Sequence, residues 1–280
     1  MSKIKIATCQ FPISKDIAKN KTYILKYVIE AGKKKVRLIH FSETCLSGYG
    51  GSDWHDKKDV DWILLKEATI EIMEMAKKYK IWVVLGSSHP LTEKKLPHNC
   101  LYVINDKGKI VDRYDKRFCT GGDLKCYAPG DHFTTFKVDG VKFGLLICYD
   151  VRFPELYREY LKLNVDCVLH SFYNANLING SIHDIIMHPN LQCRAATNHM
   201  YVIGNNNSKR HQCWPSLFID PDGKIRKKLI KHKAGLLIDT IDLKKDFYDA
   251  GGNFKYDAMN GKLNSGTTVK DKRSKDLKCL

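Results

Sequence analysis

The stretch Gly144-Leu-Leu-Ile-Cys-Tyr-Asp-Val-Arg-Phe-Pro-Glu155 decides the fold. It opens inside the mostly apolar run 141–147, which reads as a buried strand. It closes at Pro154, and proline suits the first turn of a helix. A strand passing at once into a helix is the repeating unit of a layered α/β protein. Cys148 sits at the junction, at the carboxyl end of the strand, where sheets flanked by helices form binding crevices. The turn has the character of a nucleophile elbow. Its sulfur would face a cleft beside backbone N–H groups that can receive an oxyanion. Asp150, Arg152 and Glu155 crowd the turn, and mutual pairing among them is the expected lock.

Working outward, the same alternation continues. Downstream lie a strand at 166–171, a helix around 184–197, a strand at 200–205 and hairpins from 216 to 241. Upstream, Asp139-Gly140 turns a hairpin between 133–137 and 141–147, and Asn105-Asp106-Lys107-Gly108 turns another between 99–105 and 109–114. Residues 3–10 read as a strand. A helix from Asp16 to about Lys33 places Ile17, Tyr23, Ile24, Tyr27, Val28 and Ala31 at helical spacing. A strand at 36–41, a helix over roughly 60–80 and a strand at 81–86 follow. There is no internal sequence repeat and no Gly-rich phosphate loop. The expected class is α/β, with mixed sheets and helices outside.

Composition narrows the function classes. At 280 residues, with 43% hydrophobic and 28% charged, the chain is an ordinary globular protein, not a disordered or collagen-like one. It is long enough to bury a core without disulfide staples. Its ten cysteines, from Cys9 to Cys279, form no CxxC pair, which suits a reducing compartment and offers no structural zinc spacing. The start lacks an apolar h-region, and no apolar run approaches the roughly 18 residues of a membrane helix, so a cytoplasmic protein without a membrane partner is expected. The net charge of +16 concentrates at Lys224–Lys233 and Lys270–Lys278. Neither cluster interleaves aromatics, so a solvated hairpin face and a basic tail are expected rather than a nucleic-acid site. The domain plan is one domain over 1–265 and a tail over 266–280.

Three polar side chains follow buried strands: Glu43, Lys116 and Cys148. Singly, each is more often a surface charge or core packing; a carboxylate, an ammonium and a thiol at three strand ends make a plausible site. Around these residues the chain resembles the nitrilase superfamily of carbon–nitrogen hydrolases. The matching segments are Phe41-Ser-Glu43 with Leu46-Ser-Gly48-Tyr49, Tyr114-Asp-Lys116-Arg, Tyr127-Ala-Pro129-Gly130-Asp131, and the stretch around Cys148. Cys193-Arg194-Ala195 with Asn198, and Ser216-Leu-Phe-Ile-Asp-Pro-Asp-Gly223, extend it over roughly residues 3–242.

The resemblance implies a four-layer αββα sandwich with two mixed β-sheets and outer helices. It implies Glu43 as general base, Lys116 as stabiliser of the tetrahedral intermediate and Cys148 as nucleophile. Asp123 aligns where many members carry a second glutamate, one methylene longer. Thr197 stands where a glutamate is common, and Asn253-Phe-Lys-Tyr-Asp257 replaces an arginine-rich ending. Asp123, Tyr49, Tyr149, Tyr173 and Asn174 are the candidates for substrate contact. Members commonly pair through helices beside the active site, here Phe153–Leu163 and 184–197, so a homodimer or larger homo-oligomer is expected.

The chemistry is coherent in its own right. The thiolate attacks, yet a free thiol is mostly protonated at neutral pH. Glu43 can take the thiol proton, hand it to the leaving amine and then activate water against the thioester. Lys116 and the Tyr149 N–H can hold the oxyanion, each such donor being worth about 2.7–4 kcal/mol. No cofactor or metal is required, and His183 and His188, five residues apart, do not share a helical face. The expected reaction is hydrolysis of a small linear amide or N-carbamoyl amine with release of ammonia. The basic surface mildly favours carboxylate-bearing amides. The alternatives are a catalytically inactive or nucleic-acid- or anion-binding member that uses the basic surface, and an N-acyltransferase-like relative.

Overall fold

In the computed structural model, which describes residues 3–92, 94–175 and 180–278, the strand before Cys148 is buried along almost its whole length. Asn176, beside the candidate Asn174, and Cys279, with the end of the basic tail, lie outside the described residues.

The chain runs β1 (Lys3–Gln10), α1 (Ile17–Lys33), β2 (Leu38–His40), α2 (Trp62–Tyr79), β3 (Trp82–His89), β4 (His98–Ile104) and β5 (Ile110–Asp115). It continues with β6 (Thr135–Val138), β7 (Val141–Ile147), α3 (Pro154–Lys162), β8 (Cys167–Ser171), α4 (His183–Asn198) and β9 (Tyr201–Asn205). It ends with β10 (Leu217–Ile219), β11 (Ile225–Lys228), β12 (Gly235–Asp242) and α5 (Phe254–Met259). Asp16, read from sequence as the first residue of α1, is its N-cap and accepts from Lys19 N at 3.0 Å. Such a cap is worth about 1 kcal/mol.

Two six-stranded mixed sheets form, in the orders β12-β1-β2-β3-β4-β5 and β11-β10-β9-β8-β7-β6. Period-two alternation decides what each strand faces. On the first sheet Ile4, Ile6, Leu38 and Val84 point inward, against Phe143, Leu145 and Leu169 of the second. Their neighbours Ala7, Cys9, Ile39 and Val83 point outward against Ile24, Val28 and Ile72 of α1 and α2. Met187 and Leu191 of α4 and Leu156 and Tyr160 of α3 cover the second sheet. The layers are therefore αββα. Each buried aliphatic or aromatic side chain contributes about 1.5–3 kcal/mol.

The two halves repeat one topology, which the sequence does not display. Each sheet has an antiparallel edge strand, three parallel strands joined by two helical crossovers, and two more antiparallel strands. The expected run of hairpins from 216 to 241 is corrected here. Only β10 and β11 form one; β12 leaves for the other sheet and pairs with β1 from Lys3↔Asp242 to Gln10↔Gly235. The free edge of β1 needed a partner, and no local turn signal encodes a pairing over that distance. The basic cluster on β11 is partly neutralised: Arg226 pairs with Asp239 at 2.9 Å, and Lys231 with Asp184 at 3.7 Å. The described nine cysteines are free. No helix among the described residues is long and apolar enough to cross a membrane. Residues 260–274 are exposed.

Candidate active site

Strand direction gathers the site. β1, β2 and β3 run parallel, and β5, two antiparallel steps from β3, runs the same way. The segments after β2 and β5 thus emerge at one end of the first sheet, carrying Glu43 and Lys116. The segments after β7 and β8 carry Cys148 and Asn174 from the second sheet. Gly86 allows the Glu43 segment to lie against β3, because a Cβ there would stand 2.0 Å from Ser42 O. Tyr114 on β5 donates to Asp150 at 2.8 Å, tying the strand of Lys116 to the turn of Cys148 across the sheets.

Lys116 is fully buried between two carboxylates, 2.8 Å from Glu43 Oε1 and 2.8 Å from Asp123 Oδ2. Burial alone would lower its pKa, but Glu43, Tyr49, Cys148 and Asp123 outweigh that and hold it well above the usual lysine value. The two acids then separate. Asp123 also receives the Tyr49 hydroxyl and Thr120 N. Burial would raise it, yet Lys116 and these donors pull it below the usual aspartate range. Glu43 has Lys116 and Asn99 Nδ2, each at 2.8 Å, on Oε1 alone. Its Oε2 is buried and has no hydrogen-bond partner among the described residues. Burial therefore raises Glu43 despite Lys116. Environments that push paired titratable groups apart are how a site assigns acid and base roles.

Cys148 has φ +43°, a left-handed conformation uncommon outside glycine, and it opens a 3₁₀ turn, Cys148–Arg152, that leads into α3. This is the expected strand-to-helix elbow. The lock differs from expectation. Asp150 does not pair with Arg152 or Glu155; it accepts from Ile147 N at 2.9 Å, Phe118 N at 2.9 Å and Tyr114 OH. Backbone donors withdrawn from water demand an acceptor, and Asp150 serves two of them here. Burial first, and then Glu43, push the Cys148 thiol far above its usual pKa, with Lys116 opposing. The resting sulfur is a thiol that needs a base.

Cys148 lines a cavity of about 380 Å³ with Tyr49, Tyr149, Phe172, Tyr173, Asn174 and Met187. Asn174 Nδ2 is 3.6 Å from Cys148 Sγ. Tyr49 and Tyr173 stack at 4.6 Å and 12°. All eight sequence candidates therefore gather at one end of the sandwich: Tyr49, Cys148, Tyr149, Tyr173 and Asn174 line the cavity, while Glu43, Lys116 and Asp123 are fully buried behind it, so Asp123, expected to touch substrate, instead holds Lys116. Arg152 and His183 line the same cavity, and Arg152 approaches His183 Nδ1 at 3.4 Å. Sequence reasoning placed His183 only in a discarded metal pair and Arg152 only in the elbow lock. It missed Asn99 altogether; the available signal was a polar residue at the head of the mostly apolar run 100–104.

The carbon–nitrogen hydrolase family model matches residues 5–245. The chain is 28% identical over 260 residues to omega-amidase NIT2 of Mus musculus, covering 88% of this chain and 91% of that protein. It is 31% identical over 244 residues to deaminated glutathione amidase of Dictyostelium discoideum, covering 78% and 81%. Its fold matches a mutant of the amidase from Nesterenkonia sp. AN1, whose structure shows covalent addition of the acetamide moiety of fluoroacetamide at the active-site cysteine. That match has a TM-score of 0.73 at 20% identity and covers 86% of this chain and 91% of the other.

Proposed function

The chain belongs to the carbon–nitrogen hydrolase family, and from that footing we propose that it hydrolyses a small linear amide through a thioester on Cys148. The carrying observation is the buried Glu43 carboxylate, whose Oε1 is bound to Lys116 while Oε2 has no hydrogen-bond partner among the described residues, at the strand ends where Cys148 lines the cavity. Glu43 takes the thiol proton as sulfur attacks the amide carbon. Lys116 and the Tyr149 N–H hold the developing oxyanion. The C–N bond breaks as Glu43 returns the proton to nitrogen, and ammonia leaves. Water, deprotonated by Glu43, then attacks the thioester; the acid departs and the thiol is restored. Asp123, bound to the Tyr49 hydroxyl, keeps Lys116 charged and aimed.

The finer substrate reading is an amide with a carboxylate at its far end. Arg152 supports it: among the described residues the guanidinium has no carboxylate partner, and it lines an otherwise largely apolar cavity. The names of the relatives, omega-amidase and deaminated glutathione amidase, agree with such a substrate. A single domain over 1–265 with a basic tail, and pairing of copies through α3 and α4, belong to the same proposal; light scattering on the purified protein tests the assembly.

Ammonia release by wild type and Cys148→Ala tests the function, across short aliphatic amides, ω-amides of dicarboxylic acids and N-carbamoyl amines. Release that disappears in the variant is expected. Turnover that survives it, or is absent throughout the panel, overturns the proposal.

A further inference from the structure

Asp53 lies just beyond the loop carrying Tyr49, and its side chain is only 4% exposed. Its carboxylate accepts Tyr49 N at 3.0 Å, the Tyr173 hydroxyl at 3.0 Å and the ammonium of Lys209. Lys209 comes from the loop after β9, far away in sequence. The same ammonium donates to Tyr173 OH at 2.9 Å. The Tyr173 hydroxyl is thus held from both sides, as acceptor from Lys209 and donor to Asp53.

Two arms run from this triad into the site. The Tyr173 ring stacks on Tyr49, whose hydroxyl donates to Asp123, the partner of Lys116. The residue after Tyr173, Asn174, places its Nδ2 3.6 Å from the Cys148 sulfur. One ion pair therefore anchors both the oxyanion side and the nucleophile side. Without the cation, a buried carboxylate flanked by aromatic rings loses its counter-charge, a costly state. The wall relieves it by shifting Tyr49, Tyr173 or both.

We propose that Lys209, acting through Asp53, is a positioning residue for the reaction, fixing the stacked Tyr49–Tyr173 wall and through it the Cys148 thiol and the Lys116–Asp123 pair. The inference rests on Cys148 being the nucleophile. It does not depend on which amide is consumed.

The test compares wild type, Lys209→Met and Lys209→Arg. Its first readout is the rate of Cys148 alkylation by iodoacetamide, followed by mass spectrometry across pH, which needs no substrate. Its second is kcat and KM on whichever amide the panel identifies, with thermal melting alongside. Displacing a reacting group by about 1 Å can cost on the order of a hundredfold. Lys209→Met is expected to slow alkylation and kcat by about ten- to a hundredfold and to lower the melting temperature, because Asp53 is left without its counter-charge, and Lys209→Arg to recover most of all three. Alkylation and kcat within about twofold of wild type in Lys209→Met would overturn the proposal. So would equal loss in both variants with a matching fall in melting temperature. Slowed alkylation in a protein that turns over no amide would keep this inference and remove the amidase reading.

Discussion

Lys116 Nζ stands 2.8 Å from Glu43 Oε1, and neither side chain is exposed. With Asp123 at the same distance on another side, one ammonium holds two buried carboxylates together. Breaking a buried pair by deleting one partner costs about 3–5 kcal/mol, because the other charge is left uncompensated. Lys116→Met is therefore expected to lower the unfolding free energy by about that amount and to abolish ammonia release. Urea denaturation checks the first part, and an unchanged midpoint would contradict the buried-triad account.

Glu43 should set the acid limb of the pH profile. Its pKa is raised above the ordinary glutamate value of 4.5 by burial. Protonated Glu43 cannot accept the thiol proton, so kcat/KM falls as pH drops through that raised value, at higher pH than an ordinary glutamate would dictate. For stability the sign is opposite. A carboxyl raised in the fold contributes stability that is present below its unfolded pKa and lost as pH rises through the folded one. Asp123, held low by Lys116 against its own burial, contributes stability above its unfolded pKa that is lost on acidification. Glu43→Gln is accordingly expected to lose about 10²–10⁴ in kcat while the melting temperature near neutral pH holds or rises. A large fall in melting temperature would place Glu43 among the stabilising groups instead.

Much of this was legible because it is local. The 3.6-residue pattern marked α1 and α2, and the Asn105–Gly108 turn marked the β4–β5 hairpin. A strand ending at Cys148 before Pro154 marked the elbow. What escaped was set by distant neighbours. β12 pairs with β1 because a sheet edge needed covering. Asn99 matters because its amide reaches Glu43 from β4, with β3 between it and β2. Asp53 meets Lys209 because two loops from different sheets open at the same end. A residue's own sequence context says nothing of such meetings. The Asp150 lock failed for the same reason: charged neighbours suggested pairing, but the fold supplied backbone donors and Tyr114 first.

Asp150 gives a prediction separate from the chemistry. Burial raises its pKa to about 6, yet it serves three donors, two of them in fully buried hydrogen bonds, and joins the two sheets at the elbow. Asn keeps the size but turns one acceptor oxygen into a donor, which faces a donor already in place. Leaving buried donors unsatisfied costs about 1–3 kcal/mol each. Asp150→Asn is expected to lose stability by at least about that amount and to slow Cys148 alkylation, while Tyr114→Phe, which removes one donor cleanly, loses less. Chemical denaturation of the two variants side by side tests the order; equal losses would mean the backbone contacts matter less than the inter-sheet one.

Arg152 separates substrate charge from substrate size. The guanidinium lines the cavity with no carboxylate partner among the described residues, while His183, whose pKa is lowered by burial and then by Arg152 itself, stays neutral and offers Nδ1 as an acceptor. A charge-assisted hydrogen bond to a substrate carboxylate contributes about 1.5–3 kcal/mol, equivalent to roughly ten- to a hundredfold in KM. Arg152→Met is therefore expected to raise KM for the ω-amide of a dicarboxylic acid by about that factor and to leave a neutral aliphatic amide of equal length nearly unaffected. Added salt should weaken wild-type binding of the acidic substrate in the same direction. Equal effects on both substrates would assign Arg152 to the elbow alone, and the carboxylate would then have to be read by another residue or not at all.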